Sequence, residues 1–311
     1  MNTIDGVARV LSRRAMLWEA PVDPAEDRTE HVRAASGVVW LGDRLAVIQD
    51  DTSFLALVSP TTARAQSLAL TPGPARRFEE ALGNKADKLD LESCVSWVDD
   101  RGAHLVAFGS GSTKKRERIV HIHNQVVHLL DAAPMYDALR GLRAFAGDEL
   151  NVEGAVLVGE RLRLFQRGNG AAGLPARRVV DATVELVRAG DLWVPLSETA
   201  RAYDLGTLDG VRLTFTDATA HHGVVWFLAT AEDSPNSVDD GPVVGSVIGR
   251  FAPDGSVATL LRLVDDAGPL VAKTEGIVFD RVPGRAWVVV DRDDTSIPAE
   301  LLYVDLAAHS G

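Results

Sequence analysis

Four acids, Glu92, Glu153, Asp217 and Glu275, each stand immediately before or within the start of a short apolar run. Ser36 opens a fifth run of the same kind, and the five positions are spaced by 56, 61, 64 and 58 residues. Brought to one place, four carboxylates repel unless they share protons, bind a cation or stay widely solvated. A hard divalent ion answers that repulsion, and Ca2+ in particular accepts roughly six to eight oxygens in irregular geometry. Glu92, Glu153, Asp217 and Glu275 are therefore the expected metal ligands. Zinc fits poorly, because no paired histidine or cysteine spacing accompanies the acids. The plainer alternative is that the acids cap backbone amides or hold water.

The elements that position these acids are read from the recurrence itself. LNVEGAVLVGERLRLFQ, beginning at Leu150, has counterparts beginning at Ala35, Leu91, Thr216 and Thr274. In each, an apolar run, a turn with Gly, Asp or Arg, and a β-branched or aromatic run follow one another. A period of about 60 residues built from strands alone points to a propeller. The expectation is an all-β, five-bladed β-propeller occupying residues 1–311 as a single domain, with a six-bladed ring as the alternative. A β-sandwich with look-alike hairpins is the competing fold. The last unit lacks a fourth strand, so Ala8–Leu17 is expected to supply it and close the ring. Long, dissimilar connections such as TPGPARRFEEALGNKADKLD lead into the acid-bearing ends of the first strands.

Further residues are expected around the same mouth. Asp90 and Asn151 precede Glu92 and Glu153 by two positions, which on a strand is the same face. They join Ser36 and Asn169 as expected substrate-binding groups. A second acidic band comprises Asp50, Asp51, Glu232, Asp233, Asp291, Asp293 and Asp294. Arg167 and Arg292, at the ends of second strands, are expected to receive an anionic substrate group. His121 and His123 alternate along an outer strand and are read as sharing a solvated face, while His221 and His222 are read as turn residues. No nucleophile elbow or phosphate-binding glycine loop occurs in a fitting context.

Composition narrows the partners. The chain is 46% hydrophobic and 24% charged, ordinary globular values, and 44 acids face 32 lysines and arginines for a net charge of −12. Such a balance opposes nucleic acid and anionic membrane as partners and leaves a small molecule. No apolar run approaches the about eighteen residues of a membrane span, and the N-terminal stretch has no apolar h-region. The single cysteine, Cys94, forms no internal disulfide. A cytoplasmic location is expected; oligomeric state is not encoded in any of these features.

VEGAV around Glu153 and TEGIV around Glu275, and more loosely LESCV around Glu92, resemble the inner strands of calcium-dependent propellers. The resemblance is to the gluconolactonase and regucalcin type and to the esterase-like phytase propellers, with Asp217 in the place of the family's aspartate ligand. Those relatives typically have six blades and often a Glu where Ser36 stands, so an uncharacterised bacterial propeller family is the variant reading. The resemblance implies a Ca2+-dependent hydrolase acting on a lactone, ester or phosphoester, the cation activating water. Asp217 would serve as base, with Arg167 and Arg292 assisting. A non-catalytic binding propeller with a structural ion is the alternative, and a glycoside hydrolase using two inner-strand carboxylates is a lesser one.

Overall fold

The computed structural model describes residues 3–22, 24–168, 180–233 and 241–307. Asn169 lies outside the described residues. The chain is built from antiparallel four-stranded meanders, and the arrangement is propeller-like. The first meander runs Ala35–Leu41, Arg44–Gln49, Phe54–Val58 and Arg64–Ala69, with Leu17–Trp18 added in parallel on its outer edge. The second runs Leu91–Asp99, Gly102–Gly109, Arg118–His123 and Val126–Asp131, and the third Val152–Val158, Arg161–Gln166, Asp181–Ala189 and Leu192–Tyr203.

Next come Val211–His221, Val224–Glu232, Val243–Phe251 and Val257–Asp265. The last meander has Lys273–Phe279, Arg285–Asp291 and Glu300–Asp305 from the C-terminal part of the chain. Its outer strand is Gly6–Ala15, which pairs antiparallel with Glu300–Asp305 and also lies parallel to Val257–Asp265 through Gly6–Arg9.

The innermost strands are apolar on both faces because each is covered by neighbours on both sides. Ala35–Leu41 lies against Leu91–Asp99, that strand against Val152–Val158, and so on through Val211–His221 and Lys273–Phe279 back to Ala35–Leu41. Buried clusters fill the gaps between successive meanders, such as Phe165, Phe215, Phe227 and Phe251 between the third and fourth. The outer strand Gly6–Ala15 instead alternates buried and exposed residues over its first half, with Ala8 and Val10 buried between exposed neighbours. Two-residue turns close several hairpins: Asn124 and Gln125 both have positive φ, 49° and 63°, the type I′ geometry that matches strand twist.

One irregularity recurs in every inner strand. The ladder to the second strand skips a single residue, a β-bulge, at Ser36, Glu92, Glu153, Thr216 and Glu275. The residue after the bulge is Gly37, Ser93, Gly154, Asp217 or Gly276, and it is small where the next inner strand crowds in. A Cβ on Gly276 would stand 2.8 Å from the Cα of Gly37, and one on Gly154 would stand 3.1 Å from the Cα of Asp217. The Glu-Gly pairs thus combine a bulged acid with a glycine required by close backbone approach.

Between the second and third meanders the chain forms the helices α1, Ala133–Gly141, and α2, Arg143–Ala146. The Tyr136 hydroxyl donates to the Gly109 carbonyl at 2.6 Å, and Met135, Leu139 and Phe145 are buried beneath. This anchors the connection over one end of the inner strands. No helix among the described residues is long and apolar enough to cross a membrane.

Candidate functional site

A cavity of 1020 Å³ opens at the bulge-bearing ends of the inner strands. Ser36, Glu92, Glu153 and Glu275 reach it from the bulges, Asp90 and Asn151 from just before them, and Asp50, Arg167 and Asp291 from second-strand ends. The connections supply the upper wall, including Arg116 and Arg140. Bulges re-aim the residue they insert, and here they turn three glutamates toward one space.

Two expected site residues stand elsewhere. Asp217 follows the bulge rather than occupying it, and does not line the cavity. It is 2% exposed, its Oδ2 accepts the Ile277 amide at 2.8 Å, and the amides of Ala218 and Ala155 also donate to it. The fourth bulge holds Thr216, fully buried with no hydrogen-bond partner for its Oγ1 among the described residues. The spacing was one residue too long at that unit. Arg292 also lies off the cavity and faces Glu300, 3.3 Å away, which Arg13 also binds.

Cations missed in the sequence reading pair with the acids. Lys88 Nζ lies 2.6 Å from both Asp50 and Asp90, and Arg116 lies 3.1 Å from Asp90. Lys273 reaches Glu275 at 3.3 Å and Asp293 at 3.2 Å. Arg167, 4% exposed, holds Glu232 at 2.6 Å and stands 3.5 Å from Glu153 and 4.0 Å from Glu275. Asn151 donates to Glu153 at 2.6 Å, and Ser36 donates to the Leu91 carbonyl. The alternation in KLDLE and KTE was the available signal, since it puts Lys88, Asp90 and Glu92 on one face, and Lys273 with Glu275.

Charge and burial compete throughout. Burial opposes the charges on Lys88 and Arg167, yet the surrounding carboxylates hold both above their ordinary pKa values. Burial, then Asp50, pushes Asp51 up to about 7 against the pull of Arg33. Burial does the same to Asp291, also to about 7, with Lys273 opposing. Glu92 is raised well above the carboxylate range by burial and by the negative Glu153, Asp90 and Asp50. It makes no hydrogen bond and no ion pair among the described residues. Glu275 is likewise raised well above the carboxylate range by burial while Lys273 and Arg167 pull it down, and its buried Oε2 has no hydrogen-bond partner among the described residues.

The fit to a calcium ion follows from these pairings. Of the four expected ligands, Asp217 is committed to amides, and Glu153 and Glu275 already face Arg167 and Lys273. Carboxylate oxygens of Asp50, Asp90 and Glu92 do lie within 4.8 Å of one another, but the Lys88 ammonium contacts two of the three acids. Side-chain cations supply the counter-charge that the sequence reading assigned to Ca2+, and the expected ligand set does not fit the ion.

Residues 31–306 match the family described as "Family of unknown function (DUF6929)", and the chain belongs to that family. It is not the calcium-dependent gluconolactonase type that VEGAV and TEGIV resemble. No curated protein matches the sequence. Among solved structures, a mannose phosphorylase from Leishmania mexicana, in complex with phosphate ion, is similar at TM-score 0.52 and 13% identity, over 96% of this chain and 89% of that one. The glutaminyl cyclase of Myxococcus xanthus is similar at TM-score 0.49 and 11% identity, over 96% and 97%. An α-L-arabinanase mutant of Cellvibrio cellulosa gives TM-score 0.45 and 10% identity, over 88% and 92%. At these identities the first likeness is one of fold.

Proposed function

We propose that this member of the DUF6929 family is a five-bladed propeller enzyme that cleaves or transfers a glycosidic bond in the charged cavity, without a metal ion. The ring closes where Gly6–Ala15 pairs with Glu300–Asp305. One observation carries the chemistry: Glu92 faces the cavity with its carboxyl unpaired and held toward the protonated form. A protonated carboxylic acid with no competing partner is the group needed to deliver a proton to a leaving glycosidic oxygen. Glu275 lines the same space; burial raises its carboxyl too, and Lys273 and Arg167 oppose that rise and would hold it anionic once it gives up its proton.

In this reading Glu92 gives its proton to the leaving oxygen as the anomeric C–O bond breaks. Glu275, ionised for this step beside Lys273 and Arg167, removes a proton from the water that forms the new bond at the anomeric carbon; in phosphorolysis the phosphate itself forms that bond. Arg167, anchored by Glu232, keeps positive charge beside Glu275 and Glu153 through the step. The shared fold with a carbohydrate phosphorylase supports a small glycoside as substrate. The net acidity of the walls disfavours polyanions.

The test is turnover on a panel of aryl glycosides, and of sugar 1-phosphates with and without inorganic phosphate. Wild-type turnover is expected, with Glu92→Gln losing about 10²-fold or more in kcat on poor leaving groups and less on activated ones. Its melting temperature should stay unchanged, since Glu92 holds nothing. No turnover on the whole panel, or an unimpaired Glu92→Gln, overturns the proposal.

A further inference from the structure

At the end of the second meander remote from the cavity, four imidazoles share one face. His104 stands opposite His123 in one ladder and His121 opposite His128 in the next. His121 and His123 share this face and are half-buried, while His104 beside them is fully covered. The His104 ring is 2% exposed and stacks parallel to Trp97 at 4.8 Å and to His123 at 4.2 Å, so its plane is fixed. Its Nε2 lies 3.1 Å from Asp99 Oδ1, and its Nδ1 lies 3.0 Å from His121 Nε2.

A carboxylate only accepts, so Nε2 of His104 carries a proton, and in the neutral ring Nδ1 then turns its lone pair toward His121. This carboxylate–histidine arrangement is the one that orients and strengthens a metal-binding imidazole. Two nitrogens 3.0 Å apart, each about 2.0–2.1 Å from an ion, subtend roughly 91–97° there. That is the cis angle of a tetragonal site and narrower than a tetrahedral one.

We propose that His104 and His121, with the exposed His128 swinging in as a third nitrogen, form a binding site for a divalent transition metal of the copper or nickel class. The two rings pivot so that both lone pairs meet the ion beside the line that joins the nitrogens, and the single ring proton of His121 moves from Nε2 to Nδ1. Nitrogen ligands exclude calcium and magnesium from this site, and the Irving–Williams order makes copper the tightest occupant. His123 stays outside the ligand set, because its Nε2 is engaged by the Arg101 carbonyl and its ring stacks on His104. The site is independent of the cavity chemistry.

Titration of the purified protein with copper(II), nickel(II) and zinc(II) chlorides, followed by calorimetry and by electron paramagnetic resonance of the copper form, tests this. One equivalent of copper is expected, with nitrogen splitting in the spectrum and affinity in the order copper, nickel, zinc. His121→Ala should weaken binding at least tenfold and Asp99→Asn about 10–100-fold. His222→Ala, in a distant turn, should bind as wild type. Should His121→Ala fail to fold, His128→Ala at its exposed position should still lower copper affinity and change the spectrum. Absence of stoichiometric copper in the wild type, or wild-type binding in His121→Ala or His128→Ala, overturns the assignment.

Discussion

Asp217→Ala separates a structural clamp from a catalytic base. The carboxylate spans three inner strands: its own, that of Ala155 and that of Ile277. Alanine would leave at least the two inter-strand amides buried without an acceptor. Each orphaned amide costs about 1–3 kcal/mol, or about 4 kcal/mol for the pair. Removing a buried carboxyl that burial disfavours returns part of that, so about 3 kcal/mol is the expected loss. An unfolding entropy of about 2.1 cal/mol/K per residue gives about 0.65 kcal/mol/K for 311 residues, hence a fall in Tm of about 5 °C. Asp217→Asn keeps one carbonyl acceptor and should lose about half as much. Thermal denaturation at pH 7 reads the shift, and glycoside turnover at 25 °C should survive in the folded fraction. An unchanged Tm together with abolished turnover would refute the clamp and restore Asp217 as a base.

Arg167→Ala strips the counter-charge from Glu153, Glu232 and Glu275 and should cost about 3–5 kcal/mol, read by urea denaturation, with loss of turnover. Melting curves in millimolar calcium and in chelator should coincide within about 1 °C, since a bound ion at a hundredfold its Kd would add about 2.7 kcal/mol. Asp51 and Asp291 have folded pKa values of about 7, raised above their unfolded values. The folded state then holds the extra protons, so their contribution to stability should fall as pH rises from about 4 to 7 and level off above. Chemical denaturation across that range checks the slope.

The period of the inner strands was legible because each obeys the same local rule: a short apolar run, a turn, and a second run. Ser36, Glu92, Glu153 and Glu275 were legible for the same reason, since a bulge keeps its place in the repeat. Thr216 was not, because an acid one residue later imitates the pattern and a bulge leaves no mark in hydrophobic alternation. Lys88 and Lys273 were visible as strand neighbours of the acids, but their partners Asp50 and Asp293 come from separate turns. Such pairing depends on how the strands meet in space. Burial set the balance between a metal and side-chain cations, and burial of a charged residue is not written in its neighbours' types.

The outer strand Gly6–Ala15 has a consequence in time. Its ladder partners, such as Leu302 for Arg13, emerge from the ribosome almost a full chain length later. Its buried residues Ala8 and Val10 also pack with Leu261 and Leu263 of the fourth meander, so that face too waits for the late part of the chain. Contacts this distant in sequence make folding slow. Refolding yield should therefore depend on protein concentration far more than the stability of the finished molecule does.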